Sequence, residues 1–368
     1  MKVVQFVPSL DSGGVEQGVI EIAKALVEDN HESHAVSSGG RLVDDLISSG
    51  SHHHKWDLGK KSLLNLRLIK PLRNWIVSTQ PDIIHVRSRM PAWLVWKALN
   101  GIPQSQRPQL VSTVHGLHSV NFYSRVMTKP HNIIAVSQSS KNYIIDNYTK
   151  SENKNIKLIY RGVDSSNYNK DYAPSDKWLS DWYEQYPETK SAKLLTISGR
   201  ISPLKDIEKI IHLAKSIKDN SSHNFKILIA GEAQNKHLKY LKNLKNTIKY
   251  LGLSEDIYFL NFRKDIKDIY AISSLAFNTS NKPESFGRSV LEPLSMGVPT
   301  IGYNRGGVKE ILDELYPFGG VTPGSDEQLL NKTLCILDGN EANIKTNTKF
   351  ITSKMCSETL SFYKEILS

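Results

Sequence analysis

The sequence predicts an α/β protein built from two doubly wound parallel sheets, and three observations support that prediction. Short runs rich in Val, Ile and Leu alternate with amphipathic stretches of helical period, as strands alternate with crossover helices in such sheets. The alternation breaks once, in a polar, tyrosine-rich stretch between residues 165 and 191, and then starts again. The length of 368 residues fits two domains of roughly 150 to 200 residues each.

The first series begins with a strand at residues 3–8, a glycine-containing loop and a helix at residues 15–29, which is how a doubly wound sheet opens. Further strands are predicted at residues 83–86, 110–114, 133–136 and 156–160, with helices at residues 63–78, 91–100 and 139–148. We expect residues 1–165 to form one Rossmann-like domain.

The second series predicts strands at residues 193–198, 225–230, 257–261, 276–278 and 300–303, with helices at residues 206–218, 236–251, 265–272 and 287–296. We expect a second Rossmann-like domain at residues 191–345 and a connecting segment at residues 166–190. A last helix, within residues 346–368, is expected to pack back on the first domain. The predicted cleft between the two domains is the expected place for chemistry.

The positive charge of the chain is concentrated in its first half. The net charge is +10, yet from Arg41 to Arg161 there are 18 Lys and Arg against 6 Asp and Glu. No nucleic-acid recognition motif accompanies this charge, so an anionic membrane surface or a phosphorylated acceptor is the expected partner. Four tryptophans interleaved with these cations either belong to the membrane surface or lie in the core beneath solvated lysines: Trp56, Trp75, Trp93 and Trp96.

Several classes of protein are disfavoured by what the sequence lacks. No window approaches 18 uncharged apolar residues and no signal-peptide pattern is present, so we expect a cytoplasmic protein. Cys335 and Cys356 form no CxxC or Cys/His spacing, and the adjacent histidines at positions 52–54 cannot all face one metal ion. A Gly-x-Gly-x-x-Gly motif is absent, which disfavours a dinucleotide cofactor.

Two glutamates eight residues apart, Glu284 and Glu292, enclose Gly287 in the stretch ESFGRSVLE. The apolar residues that follow predict a helix starting near Phe286, and the unpaired N–H groups of a helix start bind anions. A carboxylate on each side of a bound diphosphate would accept hydrogen bonds from a nucleotide sugar, Glu284 from the transferred sugar and Glu292 from the ribose. By itself the spacing is equally consistent with a solvated helix face.

Two cations, Arg200 and Lys205, follow the first strand of the second series in the stretch SGRISPLKD. Loops at the carboxyl ends of parallel strands are where such sheets bind ligands. Two positive charges there would neutralise a diphosphate leaving group as its bond to the sugar breaks. The alternative is an ordinary basic loop.

Six stretches form a set: SLDSGGVEQ, STVHG, IIAVS, YRGVD, SGR with Lys205, and ESFGRSVLEPLSMGVPTIG. With them the chain resembles the retaining GT-B glycosyltransferases of family four over nearly its whole length. Within that family, RSRMPAW at residues 87–93 is most similar to the branch that builds lipopolysaccharide core and related surface glycans. One departure is Arg161, where many relatives carry asparagine.

The resemblance implies roles for further residues. Gly13 and Gly14 would approach the donor phosphates or the transferred sugar, and His115 would lie near the anomeric centre, with His118 a weaker candidate. The uracil base would be framed by Asn261, Phe262 and Arg263, and the diphosphate would be held by Ser285, Phe286, Gly287 and Arg288. The residues expected to contact the acceptor or the membrane are Arg87, Arg89, Lys60 and Lys61.

The resemblance also implies the reaction. A sugar would move from a nucleotide diphosphate, expected to be UDP, to a lipid-linked oligosaccharide at the inner face of the cytoplasmic membrane, with retention of configuration. No cofactor and no metal are expected, because Arg200 and Lys205 take over charge neutralisation and no Asp-x-Asp motif is present. A sugar-nucleotide epimerase and a non-catalytic scaffold that binds nucleotide sugars remain open as alternatives.

Overall fold

In the computed structural model the chain divides into two compact units, each built on one parallel sheet. The structure describes residues 1–11, 13–59, 63–148, 154–340 and 342–368. Unit 1 consists of Met1–Arg161 together with Thr352–Ser368, and unit 2 consists of Gly162–Ile351. The predicted fold class, two Rossmann-like α/β domains, is confirmed.

The sheet of unit 1 has seven described strands, all parallel to their neighbours. They are β1 (Lys2–Phe6), β2 (Glu32–Ser37), β3 (His52–Lys55), β4 (Ile83–Val86), β5 (Gln109–Val114), β6 (Asn132–Ala135) and β7 (Asn155–Leu158). Their order is β3-β2-β1-β4-β5-β6-β7, so the direction of winding reverses between β1 and β4. Loops that leave the sheet on either side of such a reversal diverge and open a crevice at the carboxyl ends of the strands.

Within the described residues, five α-helices connect these strands and cover the sheet: α1 (Gly14–Glu28), α2 (Val43–Ser48), α3 (Ile69–Thr79), α4 (Arg89–Leu99) and α5 (Gln138–Tyr148). Most residues of the central strands are buried, because helices shield both faces of a parallel sheet from water. In β1, for example, Val3, Val4 and Phe6 are fully buried. The predicted helix at residues 63–78 begins as a 3₁₀ turn, Leu63–Leu68, before α3.

The sheet of unit 2 repeats this architecture with six described parallel strands. They are β8 (Lys193–Ser198), β9 (Phe225–Ala230), β10 (Ile257–Asn261), β11 (Leu275–Asn278), β12 (Thr300–Tyr303) and β13 (Gly320–Val321). The order β10-β9-β8-β11-β12-β13 places the reversal between β8 and β11. The helices of unit 2 are α6 (Asp176–Gln185), α7 (Ile207–Asn220), α8 (Leu238–Tyr250), α9 (Ile266–Ala271), α10 (Arg288–Ser295), α11 (Gly306–Leu315) and α12 (Asp326–Leu337).

Residues 166–190, expected to be a connecting segment, are instead part of unit 2. The hydroxyl of Ser175 caps α6 by accepting a hydrogen bond from the backbone N–H of Trp178. Trp182, near the end of α6, is buried in a cluster with Leu228 and Ile269. The polar composition that indicated a linker belongs to the exposed face of this helix.

The last helix of the chain, α13 (Thr352–Glu365), lies in unit 1 and packs against α1. Its buried residues share a cluster with Ile22 and Leu26 of α1. Two ion pairs join its end to unit 1: Lys364 to Asp29 at 2.8 Å and Glu365 to Lys157 at 3.0 Å. Among the helices in the described part of the chain, none is long and apolar enough to cross a bilayer.

Candidate active site

The polar residues singled out in the second half of the sequence gather at the crevice between β8 and β11. The loop after β8 carries Arg200 and Lys205, and the loop after β11 carries Glu284. These strands are hydrogen-bonded neighbours at the reversal of the sheet. The topology therefore brings together side chains that lie almost 80 positions apart in sequence.

The centre of this site is an ion pair between Lys205 and Glu284. The Lys205 Nζ donates to Oε1 of Glu284 over 2.7 Å, and both side chains are largely buried. The same oxygen accepts hydrogen bonds from Nδ2 of Asn278 at 3.1 Å and from the hydroxyl of Ser280. Burial alone would raise the pKa of Glu284, but the Lys205 ammonium and these hydrogen bonds outweigh it and lower the pKa. Glu284 is therefore a carboxylate at neutral pH.

Backbone contacts between the two loops fix the position of Lys205. The N–H of Asn281 donates to the carbonyl of Leu204 at 2.8 Å, and its side-chain amide donates to the carbonyl of Pro203 at 2.7 Å. The hydroxyl of Thr279 donates to the carbonyl of Lys205 itself at 3.2 Å. Because these bonds involve main-chain atoms, the loop holds its shape whatever the ammonium group binds.

Close packing of glycines places the segment from Glu284 to Gly287 against the start of α11. The N–H of Gly307 donates to the carbonyl of Glu284 at 2.8 Å. A Cβ atom on Gly307 would lie 2.4 Å from Cα of Phe286, so any side chain there would push the segment away. Gly287, the residue before α10, has φ +124°, a conformation that favours glycine. The first N–H groups of α10 have no partner within the helix and face the site of an anion in such folds.

Arg288 and Glu292, both predicted to bind the donor, are paired with each other. The Arg288 Nε donates to Oε1 of Glu292 over 2.8 Å, one turn further along α10. Phe286 is buried and its ring packs edge-on against Phe350, so only its backbone remains for a ligand, while Ser285 is half-buried. Both acids predicted to bracket a diphosphate therefore already have a basic partner, Lys205 for Glu284 and Arg288 for Glu292.

The residues predicted to frame the base follow β10. Asn261 is exposed with φ +57°, and Phe262 is half-buried. Arg263 forms two hydrogen bonds with Asp265, at 2.8 and 2.5 Å, and its guanidinium lies 5.6 Å from the Trp182 ring centroid. These contacts hold Arg263 in place as part of unit 2, so its charge already has an acidic partner.

Arg200 differs from Lys205 although the sequence pairs them. Its side chain is exposed, and it makes no hydrogen bond or ion pair with any residue that the structure describes. Lys205 binds a carboxylate, whereas Arg200 keeps a full set of donors for a ligand.

The sequence analysis missed four residues of this site: Asn278, Ser280, Tyr303 and Arg305. Together with Glu284 they surround one small recess. The Arg305 Nη2 donates to the carbonyl of Ser280 at 2.6 Å, and its guanidinium lies over the ring of Tyr303. The signal was present, because polar residues follow both β11 and β12 in the sequence, as NTSN and NRGG.

In unit 1 the predicted residues gather around the reversal between β1 and β4. Gly13 precedes α1 and Gly14 begins it, so both lie at the carboxyl end of β1. His115 follows β5 and is half-buried. Burial, together with the charges of Arg161 and Arg87, holds the pKa of His115 well below its usual value. The imidazole is therefore neutral at pH 7.

The two arginines predicted to contact the acceptor or the membrane have different environments. Arg87 is only 5% exposed, so it cannot contact a membrane surface, and of its two predicted roles only the acceptor remains. Arg89 donates to the hydroxyl of Ser124 at 3.1 Å and stacks over the ring of Tyr123. Lys60 and Lys61 lie outside the described residues.

The four tryptophans are all half-buried, and all four pack against the core of unit 1. Trp75 packs edge-on against Phe6 of β1 and contacts Trp56, so this pair belongs to the core. Trp96 is half-buried and carries the ammonium groups of two lysines over its ring, Lys97 at 5.1 Å and Lys129 at 5.3 Å. Trp93 contacts Phe122, a ring that is 75% exposed.

The three adjacent histidines form β3 at the edge of the sheet. His54 shares a hydrogen bond of 2.9 Å with His34, and His53 shares one of 2.8 Å with Ser37. His118, the weaker candidate, is half-buried, and burial with the charge of Arg89 lowers its pKa to about 4. Over the described ranges, no three His, Cys, Asp or Glu residues are grouped so as to hold a metal ion.

Comparison with known proteins gives this arrangement a family. The model of glycosyl transferases group 1 matches residues 180–352, and that of glycosyltransferase family 4 matches residues 12–167. The chain is 24% identical to the N-acetyl-alpha-D-glucosaminyl L-malate synthase of Bacillus anthracis, over 98% of this chain and 95% of that protein.

Two solved structures have the same fold over the whole chain. A glycosyltransferase from Rickettsia africae superposes with a TM-score of 0.84 at 25% identity, covering 100% of this chain and 98% of that one. The Anabaena protein HepE, crystallised with UDP and glucose, superposes with a TM-score of 0.82 at 23% identity, covering 99% and 100%. Two family models that between them match most of the chain, on two sheets of this topology, identify it as a member of the group 1 and family 4 glycosyltransferases of the GT-B fold.

Proposed function

We propose that this glycosyltransferase moves a sugar from UDP to a hydroxyl group of a lipid-linked oligosaccharide, such as lipopolysaccharide core, with retention and without a metal ion. The observation that carries the proposal is the Lys205–Glu284 pair at the crevice of unit 2, directly before the start of α10. A carboxylate, a cation and the start of a helix in one place match the three parts of a nucleotide diphosphate sugar.

The diphosphate binds at the start of α10, where backbone N–H groups are unpaired within the helix. An ammonium group has three donors, and Glu284 occupies one of those on Lys205. The others remain for the phosphate oxygen from which the sugar departs. Arg200, exposed and without a partner in the described chain, supplies the second positive charge. These cations stabilise the charge that develops on the leaving group.

Glu284 holds the sugar by a hydroxyl group. Its Oε1 accepts all three hydrogen bonds that the structure shows for this carboxylate, from Lys205, Ser280 and Asn278. Its Oε2 is left to accept a hydrogen bond from the substrate. Glu284 thus acts as a fixed acceptor, and its lowered pKa keeps it ionised throughout the reaction.

Retention follows from attack on the face from which the diphosphate leaves. The bond from the anomeric carbon to the phosphate oxygen breaks, the bond to the acceptor oxygen forms, and the departing phosphate takes the proton of the acceptor hydroxyl. His115, neutral because its pKa is lowered, positions the sugar by a hydrogen bond rather than by charge.

The acceptor part of the proposal is supported by unit 1. The excess of Lys and Arg lies between residues 41 and 161. Exposed Phe122 contacts half-buried Trp93, and the guanidinium of Arg89 lies over the ring of the adjacent Tyr123. Cations that flank an exposed aromatic ring favour an anionic membrane, where a lipid-linked acceptor is found.

Labelled UDP-sugars incubated with the protein and bacterial membrane extract test the proposal. Label in the lipid fraction is the expected result. Label only in a rearranged donor would identify an epimerase, and donor binding without any conversion would identify a scaffold. A thermal-shift series of UDP-, GDP- and ADP-sugars then identifies the nucleotide, because a ligand that binds the native state raises Tm.

A further inference from the structure

Unit 1 contains a recess in which Arg87 and His115 lie close to polar residues that the roles above do not use. It is partly open and lies between the carboxyl ends of the central strands and helices α1 and α13. Its polar lining consists of His85, Arg87, Thr113, His115, Arg161 and Thr359. No acidic residue is among the residues that line it.

Arg87 is buried in this recess without a full set of partners. Its Nε and Nη2 atoms are inaccessible and have no hydrogen-bond partner among the described residues. The hydroxyl of Tyr363 lies close enough to interact with the guanidinium, but it is neutral, because burial raises its pKa. A buried cation that lacks an anionic partner is costly unless a ligand supplies one.

The charges around the recess do not balance. Arg161 is 3.6 Å from the carboxylate of Glu21, which offsets one guanidinium. The two ring nitrogens of His85 form hydrogen bonds with the hydroxyl groups of Tyr363 and Thr113. Burial holds the pKa of His85 well below its usual value. His115 is neutral for the same reason, so two arginines face one carboxylate.

The side chain of Arg161 is buried and packs against the first turns of α1. Its Nη2 donates to the carbonyl of Gly14 at 2.5 Å, at the start of α1. A Cβ on Gly18 would lie 2.4 Å from Nη1 of Arg161, so the glycine makes room for the guanidinium. The residue that departs from the family pattern therefore fills a space that the same chain keeps open for it.

We propose that the recess binds an acid group of the acceptor, a carboxylate or a phosphate, with Arg87 as its principal contact and Arg161 beside it. This inference rests on the proposed function and names the chemistry of the acceptor. Guanidinium groups suit both acids, because their N–H groups form paired hydrogen bonds with two oxygens. The hydroxyl of Thr113 and the neutral His115 add neutral partners.

The test measures Tm in phosphate, in malonate and in chloride at equal ionic strength, for the full-length protein and for Arg87→Met. At ten times its Kd, the acid that binds raises Tm of the unchanged protein by roughly 2 to 4 °C, the larger value if unit 1 unfolds by itself. Arg87→Met keeps the volume of the side chain, removes the charge and abolishes the rise. Arg125→Met, at an exposed arginine of unit 1, is the matched control and keeps it.

The two arms distinguish the sources of the acid. A rise with phosphate alone identifies a phosphorylated acceptor, and a rise with malonate alone identifies a carboxylated one. No rise with either, or an equal rise in Arg87→Met, overturns the proposal.

A second measurement does not depend on the variant. An anion beside Arg87 offsets the positive field at His115, so phosphate or malonate raises the ring pKa of His115 in NMR titrations. An unchanged His115 pKa contradicts the proposal even if Arg87→Met does not fold. UDP binding to unit 2 is measured in parallel. If UDP binds but phosphate and malonate change neither Tm nor the pKa of His115, only this inference is refuted. If UDP does not bind, the proposed function is refuted.

Discussion

The two units differ in the charges at the reversal of their sheets, which is the equivalent position in the two topologies. At the reversal in unit 2, Lys205 and Glu284 are paired, as are Arg288 and Glu292. At the reversal in unit 1, buried Arg87 has no acidic partner within hydrogen-bond distance among the described residues. The crevice of unit 2 is organised before a ligand arrives, whereas that of unit 1 has a positive charge that an incoming acid would balance.

Among the variants that test this difference between the two units, the one that removes the Lys205 ammonium is expected to have the largest effect. Lys205→Ala should lower kcat about 10²- to 10³-fold, as loss of one donor to developing negative charge does. Lys349→Ala, which breaks an exposed ion pair with Glu314 in the same unit, is the control and should leave kcat unchanged. A kcat within twofold of the unchanged protein would remove Lys205 from the leaving-group site.

Glu284→Gln tests the other half of the pair. The amide keeps the shape but loses the charge that Lys205 and the sugar hydroxyl bind, so kcat/KM should fall roughly 10- to 100-fold. The double variant with Lys205→Ala should lose less than the product of the single effects, because the residues contact each other. Additive losses would mean that the pair does not act as a unit.

Phe122→Ser probes the membrane surface proposed for unit 1. Binding to vesicles of anionic phospholipid, measured by sedimentation, should weaken at least about fivefold, since a ring that enters the interface contributes ~1 kcal/mol or more. Tyr250→Ser removes an 88% exposed ring from unit 2 and should change nothing. Equal binding by all three proteins would argue against a membrane surface at Phe122.

The positive environment of unit 1 should also appear in the pH dependence of stability. The folded pKa of His115 is lowered well below 6.5, so its contribution is fully present above the unfolded pKa and is lost as pH falls below it. Between pH 7.5 and 5.5 the free energy of unfolding should fall about 1 kcal/mol less in His115→Gln than in the unchanged protein. Urea unfolding measures this, with exposed His212→Gln as the control; equal pH dependence would mean that His115 titrates normally.

Much of the fold could be read from local sequence patterns. The strands Lys193–Ser198, Phe225–Ala230 and Ile257–Asn261 were predicted with the bounds observed, because uninterrupted apolar runs between turns leave few alternatives. β3 was not predicted, since three histidines and a lysine carry no apolar pattern. That edge strand is stabilised by pairing with β2. This contact cannot be predicted from the sequence of β3 itself.

The candidate site was predicted in part. Glu284, Lys205 and Gly287 were found from their spacing around a helix start and a strand end, and they lie in one crevice. Arg305 was missed because its role depends on the carbonyl of Ser280, 25 positions away. The burial of Arg87 was likewise not predicted. The stretch RSR is typical of a charged surface, and only the fold shows that α13 packs over Arg87.

By itself the sequence determined the alternation of strands and helices, the break that separates two sheets, and the residue types at the strand ends. Local period and turn chemistry act over a few residues and are therefore visible in one dimension. The tertiary structure alone decided which charges meet: it pairs Lys205 with Glu284 and Arg288 with Glu292. Arg87 has no acid within hydrogen-bond distance among the described residues. The burial and pairing of a charged group depend on contacts between segments that are distant in sequence. These contacts decide whether the group is neutralised within the fold or is left without a partner of opposite charge.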